Sequence, residues 1–304
     1  MTDASHPVGP VAFIGLGMMG LPMAKRLVGA GFNVRGSDLS AEARAAFEAA
    51  GGEAFATGRE AAAGCAIAVT MLPDGAIVRD ALLGSGGVAD VLAEDALVID
   101  MSSSAPVGTQ ALGADLAAKR IALIDAPVSG GVRRAVDGSL AIMAGGEAAA
   151  IERARPLLEA MGKSIFATGP VGSGHAVKAL NNYVSAAGLA AACEAVLVAD
   201  KFGVDPATLI DVLNASTGKN NSTEVKLKPF VLSRSFASGF SMALMAKDLR
   251  TAADLAAAIE VDTDGLRRTA EMWSEASKKL GRKADHTEIH RFLAGESGEL
   301  EKGA

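Results

Sequence analysis

Three glycines at fixed spacing carry the first chemistry readable in this chain. Gly15-Leu16-Gly17-Met18-Met19-Gly20 is entered from the apolar run Val11-Ala12-Phe13-Ile14 and left through Leu21, Met23, Ala24 and Leu27. A strand, a G-x-G-x-x-G turn and a helix in that order form a dinucleotide site. Gly15 makes the tight turn, Gly17 lets the backbone approach a pyrophosphate, and Gly20 lets the helix pack closely on the strand. The unpaired N–H groups and positive dipole at the helix start then face the phosphates. A second strand, Phe32 to Ser37, runs into Asp38, 18 residues after Gly20. A carboxylate there accepts hydrogen bonds from the adenosine ribose and repels a 2′-phosphate, so the expected cofactor is NAD rather than NADP. Arg35 is the one nearby residue that would favour the 2′-phosphate. Further on, Ser129-Gly130-Gly131 offers a hydroxyl and two unshielded backbone N–H groups after a strand, an arrangement suited to an anion. Open parallel sheets place their ligands at such strand ends.

These residues need a scaffold, and the pattern supplies one. Short β-branched runs alternate with amphipathic helices through the first half, which predicts a parallel sheet. Strands are expected at Asn33–Asp38, Ala66–Leu72, Ala96–Asp100, Ile121–Asp125 and Leu140–Ala144, with a helix at Ala41–Ala50 capped by Ser40. After about Met161 the period turns helical, apart from Ser164-Ile165-Phe166. Helices are expected at Ala176–Lys201, Pro206–Ala215, Leu244–Ile259, Asp264–Lys279 and Asp285–Leu293. The fold class is therefore α/β: a Rossmann-type dinucleotide-binding domain over residues 9–168, then an all-α domain over 169–304. The tail from Gly295 is expected to fray.

Composition excludes several classes. Hydrophobic residues make up 50% of the 304, which rules against disorder, and a net charge of −6 gives no reason to expect a nucleic-acid partner. Cys65 and Cys193 are too few for a disulfide framework, so a cytoplasmic setting is the default and both read as packing residues. Met1 to Pro10 lacks the pattern of a signal peptide. The apolar run Ala186–Val198 is interrupted by Glu194 and reads as too short and too charged to span a membrane. His286 and His290 are spaced like helix-borne zinc ligands, but no third ligand or zinc-protease signature accompanies them, so no metal is expected.

Four ordered segments add a resemblance. They are Gly15–Ala24; Asp125-Ala126-Pro127-Val128-Ser129-Gly130-Gly131 with Met143-Ala144-Gly145-Gly146; Gly172-Ser173-Gly174-His175-Ala176-Val177-Lys178-Ala179-Leu180-Asn181-Asn182; and Phe240 to Leu249. Together they resemble the β-hydroxyacid dehydrogenase family, whose members include 3-hydroxyisobutyrate dehydrogenase, tartronate semialdehyde reductase and 6-phosphogluconate dehydrogenase. The likeness runs from Val11 to about Leu293, and the length is similar to the shorter hydroxyisobutyrate branch. Oxidising a β-hydroxy acid requires a base within hydrogen-bond reach of the hydroxyl. Lys178, one turn into a helix among apolar neighbours, is the candidate for that proton transfer. Asn182 shares its helix face and, as the resemblance implies, orients substrate or lysine. Ser129, Gly130 and Gly131 would take the substrate carboxylate. The resemblance also implies that Leu72, Pro73 and Ser103 contact the cofactor and that Lys247 lies near the nicotinamide. It implies a small carboxylate substrate, best matched by 3-hydroxyisobutyrate, with tartronate semialdehyde or a related sulfonate as the alternative, and a homodimer or homotetramer. Arg133 and Arg134 are either exposed or placed for a second anionic group. A different class stays open: a nucleotide-binding sensor that has lost catalysis.

Overall fold

The computed structural model describes residues 9–297, and the chain divides into two compact units between Lys178 and Ala179. The first is built on a nine-stranded sheet. Its strands are β1 (Val11–Ile14), β2 (Val34–Ser37), β3 (Glu53–Phe55), β4 (Ile67–Thr70), β5 (Leu97–Asp100), β6 (Ala122–Asp125), β7 (Val128–Ser129), β8 (Leu140–Gly145) and β9 (Gly162–Gly169). Helices α1 (Gly20–Gly29), α2 (Ala41–Glu48), α3 (Gly58–Ala62), α4 (Gly75–Leu83), α5 (Pro106–Ala117), α6 (Gly131–Asp137) and α7 (Ala148–Met161) connect them. Strands β3-β2-β1-β4-β5-β6 lie side by side and all parallel, the order that reverses between β1 and β4 and so opens a crevice at their carboxyl ends. Side chains alternate across this sheet. Val11 and Phe13 join Met23, Leu27, Phe47 and Ile99 on one face, while Ala12 and Ile14 join Leu82, Val98 and Leu116 on the other. Burial on both faces explains why these strands read as unbroken apolar runs.

The sheet departs from the all-parallel expectation at one edge. β8 runs antiparallel to β6 through Asp125↔Gly145 and to β7 through Val128↔Ile142, while β9 returns parallel to β8. Seven-residue α6 turns the chain back, whereas the fourteen-residue α7 makes the longer crossover a parallel return needs. β3 and β7 were not expected. One has three residues and the other two, too few to show a period. Ser40 caps α2 by accepting from the Ala43 N–H, as expected.

The second unit is helical. It takes most of α8 (Ser173–Phe202), then α9 (Pro206–Ala215), α10 (Asn221–Val225), a π-helical turn at Leu227–Leu232, α11 (Met242–Ala258), α12 (Asp264–Leu280) and α13 (Ile289–Leu293). Its core gathers Leu189, Cys193, Val196, Met245, Leu249, Trp273 and Ile289. The 30 residues of α8 are, by length and composition, enough to cross a bilayer, with an 18-residue window of mean hydropathy 1.4. The helix expected over Ala176–Lys201 is found, three residues longer at its start and one at its end. The inward stripe of that helix, Ala186, Leu189, Ala190, Cys193 and Val196, is the core of the unit. Burial pushes the Cys193 thiol up to about 12 and raises that of Cys65, so both behave as packing residues.

Candidate active site

The glycine turn has the geometry its spacing requires. Gly15 has φ +100°, and a Cβ there would sit 2.4 Å from the Met71 carbonyl oxygen. A Cβ on Gly20 would fall 1.9 Å from the Gly15 oxygen, which leaves no room for any other residue. Gly17 is the opposite: exposed, with nothing within 4 Å of where a Cβ would lie. Two glycines close the turn and the third borders open space, which fits a pyrophosphate. No side chain caps the start of α1, so its N–H groups point toward that space. Met18 is exposed and Met19 half-buried at the helix entry, while Leu16 is buried. The Leu16 N–H donates to Asp38 Oδ2 at 2.7 Å and the Ser40 N–H to Oδ1 at 2.8 Å, fixing the carboxylate beside the turn. Arg35 is turned away. Its guanidinium donates to the Ala63 and Glu60 carbonyls and stacks on Phe55. These residues fit NAD.

The loops after β4 and β5 are tied to each other. The Leu72 N–H donates to Ser102 Oγ at 2.9 Å, and buried Asp100 accepts from Thr70 Oγ1, the Ser102 N–H and Ser104 Oγ. Pro73 stands exposed and Ser103 half-buried on these loops. After β7, Ser129 is half-buried and Gly130 and Gly131 take φ +136° and +67°, a turn that glycine adopts without strain. Arg133 and Arg134 are both exposed on α6.

Lys178 is half-buried at the end of the first unit, and the turn that leads to it is anchored from beneath. Asp125, fully buried at the end of β6, accepts the Gly172 N–H at 2.7 Å and the His175 N–H at 2.8 Å. The His175 ring bridges Thr109 Oγ1 at 2.8 Å and the Ser102 carbonyl at 3.1 Å. Desolvation raises the Asp125 pKa, opposed by the nearby imidazole and the N–H bonds from His175 and Gly172. Sequence reasoning left His175 and Asp125 without a role. The available signal was their place in two of the four motifs, His175 one helical turn before Lys178.

In the second unit, Asn182 Nδ2 donates to Asp248 Oδ2 at 2.6 Å, both residues being buried. A carboxylate only accepts, so this bond settles which end of the amide faces Asp248. Lys247 Nζ lies 3.7 Å from Asp248 Oδ1, half-buried. Asn181 is exposed and donates to Asn182 Oδ1 at 3.2 Å. Asp248 was another residue to which sequence reasoning gave no role of its own. Among the described residues no group of three His, Cys, Asp or Glu is placed to hold a metal.

Residues 10–169 match the model of the NAD binding domain of 6-phosphogluconate dehydrogenase, and residues 172–293 match that for the NAD-binding of NADP-dependent 3-hydroxyisobutyrate dehydrogenase. The chain is 38% identical over 239 residues to 2-(hydroxymethyl)glutarate dehydrogenase of Eubacterium barkeri, covering 79% of each. It is 36% identical to 3-sulfolactaldehyde reductase of Escherichia coli (strain K12), over 88% of this chain and 89% of that one. A solved structure of Mycobacterium tuberculosis 3-hydroxyisobutyrate dehydrogenase with L-serine superposes with a TM-score of 0.88 at 34% identity, covering 94% of this chain and 99% of that one. A Rossmann-type domain followed by a helical domain, with these motifs in this order, defines an NAD(P)-dependent oxidoreductase acting on CH–OH groups. The chain belongs to the β-hydroxyacid dehydrogenase family.

Proposed function

We propose that this protein interconverts a small β-hydroxy acid and its semialdehyde, using NAD in preference to NADP, with Lys178 as the proton-transfer residue. The observation that carries the reading is the anchored turn Gly172–Lys178, held by Asp125 in the same unit as the open glycine turn. The backbone of Gly15–Gly20 holds the pyrophosphate and Asp38 the adenosine ribose, with Leu72, Pro73, Ser103 and Lys247 as further cofactor contacts. Bound there, NAD would supply the acceptor for the hydride that leaves the carbinol carbon. Ser129 Oγ and the Gly130 and Gly131 N–H groups bind the substrate carboxylate. Lys178 Nζ, as neutral amine, takes the hydroxyl proton during oxidation. As ammonium it returns that proton to the carbonyl oxygen during reduction. Asp248 occupies one Nδ2 hydrogen of Asn182, and the rest of that amide orients substrate or lysine.

Two of the similar proteins act, by name, on 2-(hydroxymethyl)glutarate and 3-sulfolactaldehyde, and others on 3-hydroxyisobutyrate and L-serine. 3-Hydroxyisobutyrate is the reference substrate and a tartronate or sulfonate semialdehyde the alternative. The same reading makes the protein a cytoplasmic homodimer or homotetramer. The test is a panel of β-hydroxy acids and semialdehydes followed by NADH and NADPH absorbance. Turnover is expected with at least one pair, at higher kcat/KM for NAD. NADH binding without turnover of any member would replace this reading with that of a sensor.

A further inference from the structure

Lys226 reaches the helix that carries Lys178 and Asn182. Its ammonium lies 3.5 Å from Ser185 Oγ. Ser185 follows Asn182 by three residues and Lys178 by seven on α8, so the three share one face of that helix. At about 1.5 Å of rise per residue, Ser185 is about 4.5 Å beyond Asn182 along the axis. That is the reach of about three further carbons past the group that Asn182 would hold. Lys226 is half-buried between α10 and the π-helical turn, a kind of turn that recurs at functional sites.

Among the described residues Lys226 has no carboxylate within ion-pair distance. Asp285, the acid whose field reaches it, already accepts from Ser238 Oγ, the Gly239 N–H, the Thr287 N–H and Thr287 Oγ1. Burial holds the ammonium below the usual lysine range, with Asp285 opposing. Lys247, by contrast, is paired with Asp248, the carboxylate that accepts from Asn182. A desolvated cation lacking an internal counter-ion is costly to fold, and such groups mark ligand sites.

We infer that the β-hydroxy acid used by this protein carries a second anionic group, a carboxylate or a sulfonate, which Lys226 binds together with Ser185 Oγ. The inference rests on Lys178 and Asn182 being the reacting-site residues. It shifts the expected substrate from 3-hydroxyisobutyrate toward its doubly charged relatives.

Wild type, Lys226→Met and Lys226→Arg test it by calorimetric binding in the presence of NADH, a readout that needs no turnover. The probes are succinate, glutarate and 3-sulfopropionate against propionate and isobutyrate. Wild type should prefer the doubly charged acids by about tenfold to a hundredfold. The preference should vanish in Lys226→Met and largely return in Lys226→Arg, with NADH affinity unchanged. Whether succinate or 3-sulfopropionate binds more tightly separates the carboxylate from the sulfonate. In turnover, KM for a doubly charged hydroxy acid should rise in Lys226→Met with little change in kcat. Equal binding of singly and doubly charged acids by wild type, or a preference that survives Lys226→Met, overturns the inference. A lysine-dependent preference in an enzyme that turns over no hydroxy acid would support the anion site and refute the dehydrogenase reading instead.

Discussion

Each unit buries a histidine beside a carboxylate, and the two clusters are finished differently. In the first, both ring nitrogens of His175 have partners, Thr109 Oγ1 and the Ser102 carbonyl, and Asp125 accepts two backbone N–H groups. In the second, His286 Nδ1 meets the Phe240 carbonyl and Ser238 Oγ, but among the described residues its buried Nε2 has no hydrogen-bond partner and Lys226 nearby has no carboxylate within ion-pair distance. A cluster whose donors and acceptors are matched from within fixes backbone; Asp125 and His175 clamp the turn that leads to Lys178. A cluster left short of partners must stay neutral or receive a ligand. The contrast separates a positioning device from a candidate binding surface.

The largest effect expected from that contrast is acid sensitivity of the second cluster. Burial, with the positive Lys226 nearby, lowers the His286 pKa from 6.5 to about 4, while Asp285 and the Phe240 carbonyl oppose the shift. The unfolded chain therefore takes its proton first as pH falls. The stability contributed by neutral His286 is complete above about pH 6.5 and is lost on the way down to about pH 4. About 3 kcal/mol is at stake, from the cost of each pKa unit. Urea unfolding from pH 7.5 to 4.5 should show a flatter pH dependence for His286→Gln than for wild type. Parallel profiles would mean that the ring is hydrated or protonated in the folded protein.

A smaller effect is expected in the matched cluster. Asn in place of Asp125 keeps one acceptor but turns an NH2 group toward backbone N–H groups. Leaving one buried donor unsatisfied costs about 1–3 kcal/mol. Asp125→Asn should lower stability by that amount and reduce kcat while NADH affinity holds, because the disturbed turn carries Lys178 and not the phosphate cradle. Lower stability with unchanged kcat would make Asp125 a fold residue alone, without a positioning role.

The same contrast explains what was legible in the sequence. The steric jobs of Gly15 and Gly20 are local, so their spacing was enough to read them. Asp38 at the end of β2 and Ser40 on α2 are likewise local. The helix Pro206–Ala215 was read to its ends because Asp205 caps it and Pro206 opens it. Strand direction is not local. Nothing in Leu140–Gly145 announces that it runs antiparallel to β6, and the residues of β3 and β7 are too few to show alternation. The partners that matter most were also hidden by distance along the chain: Asp125 with His175, Asn182 with Asp248, Ser185 with Lys226. Only the folded backbone brings each pair together.

The central claim is that Lys178 moves the substrate's proton, and Lys178→Met tests it most directly. Steady-state turnover of the best hydroxy acid should fall by roughly 10²–10⁴, the contribution of a positioned acid or base. NADH binding, measured on the same preparation, should be unchanged, because none of the contacts proposed for the cofactor involves Lys178. The rise of the oxidation rate with pH through one ionisation should disappear with the amine. A Lys178→Met protein that keeps wild-type turnover and the same pH profile would contradict the account. Equal losses of turnover and NADH binding would contradict it too, by making Lys178 a structural residue.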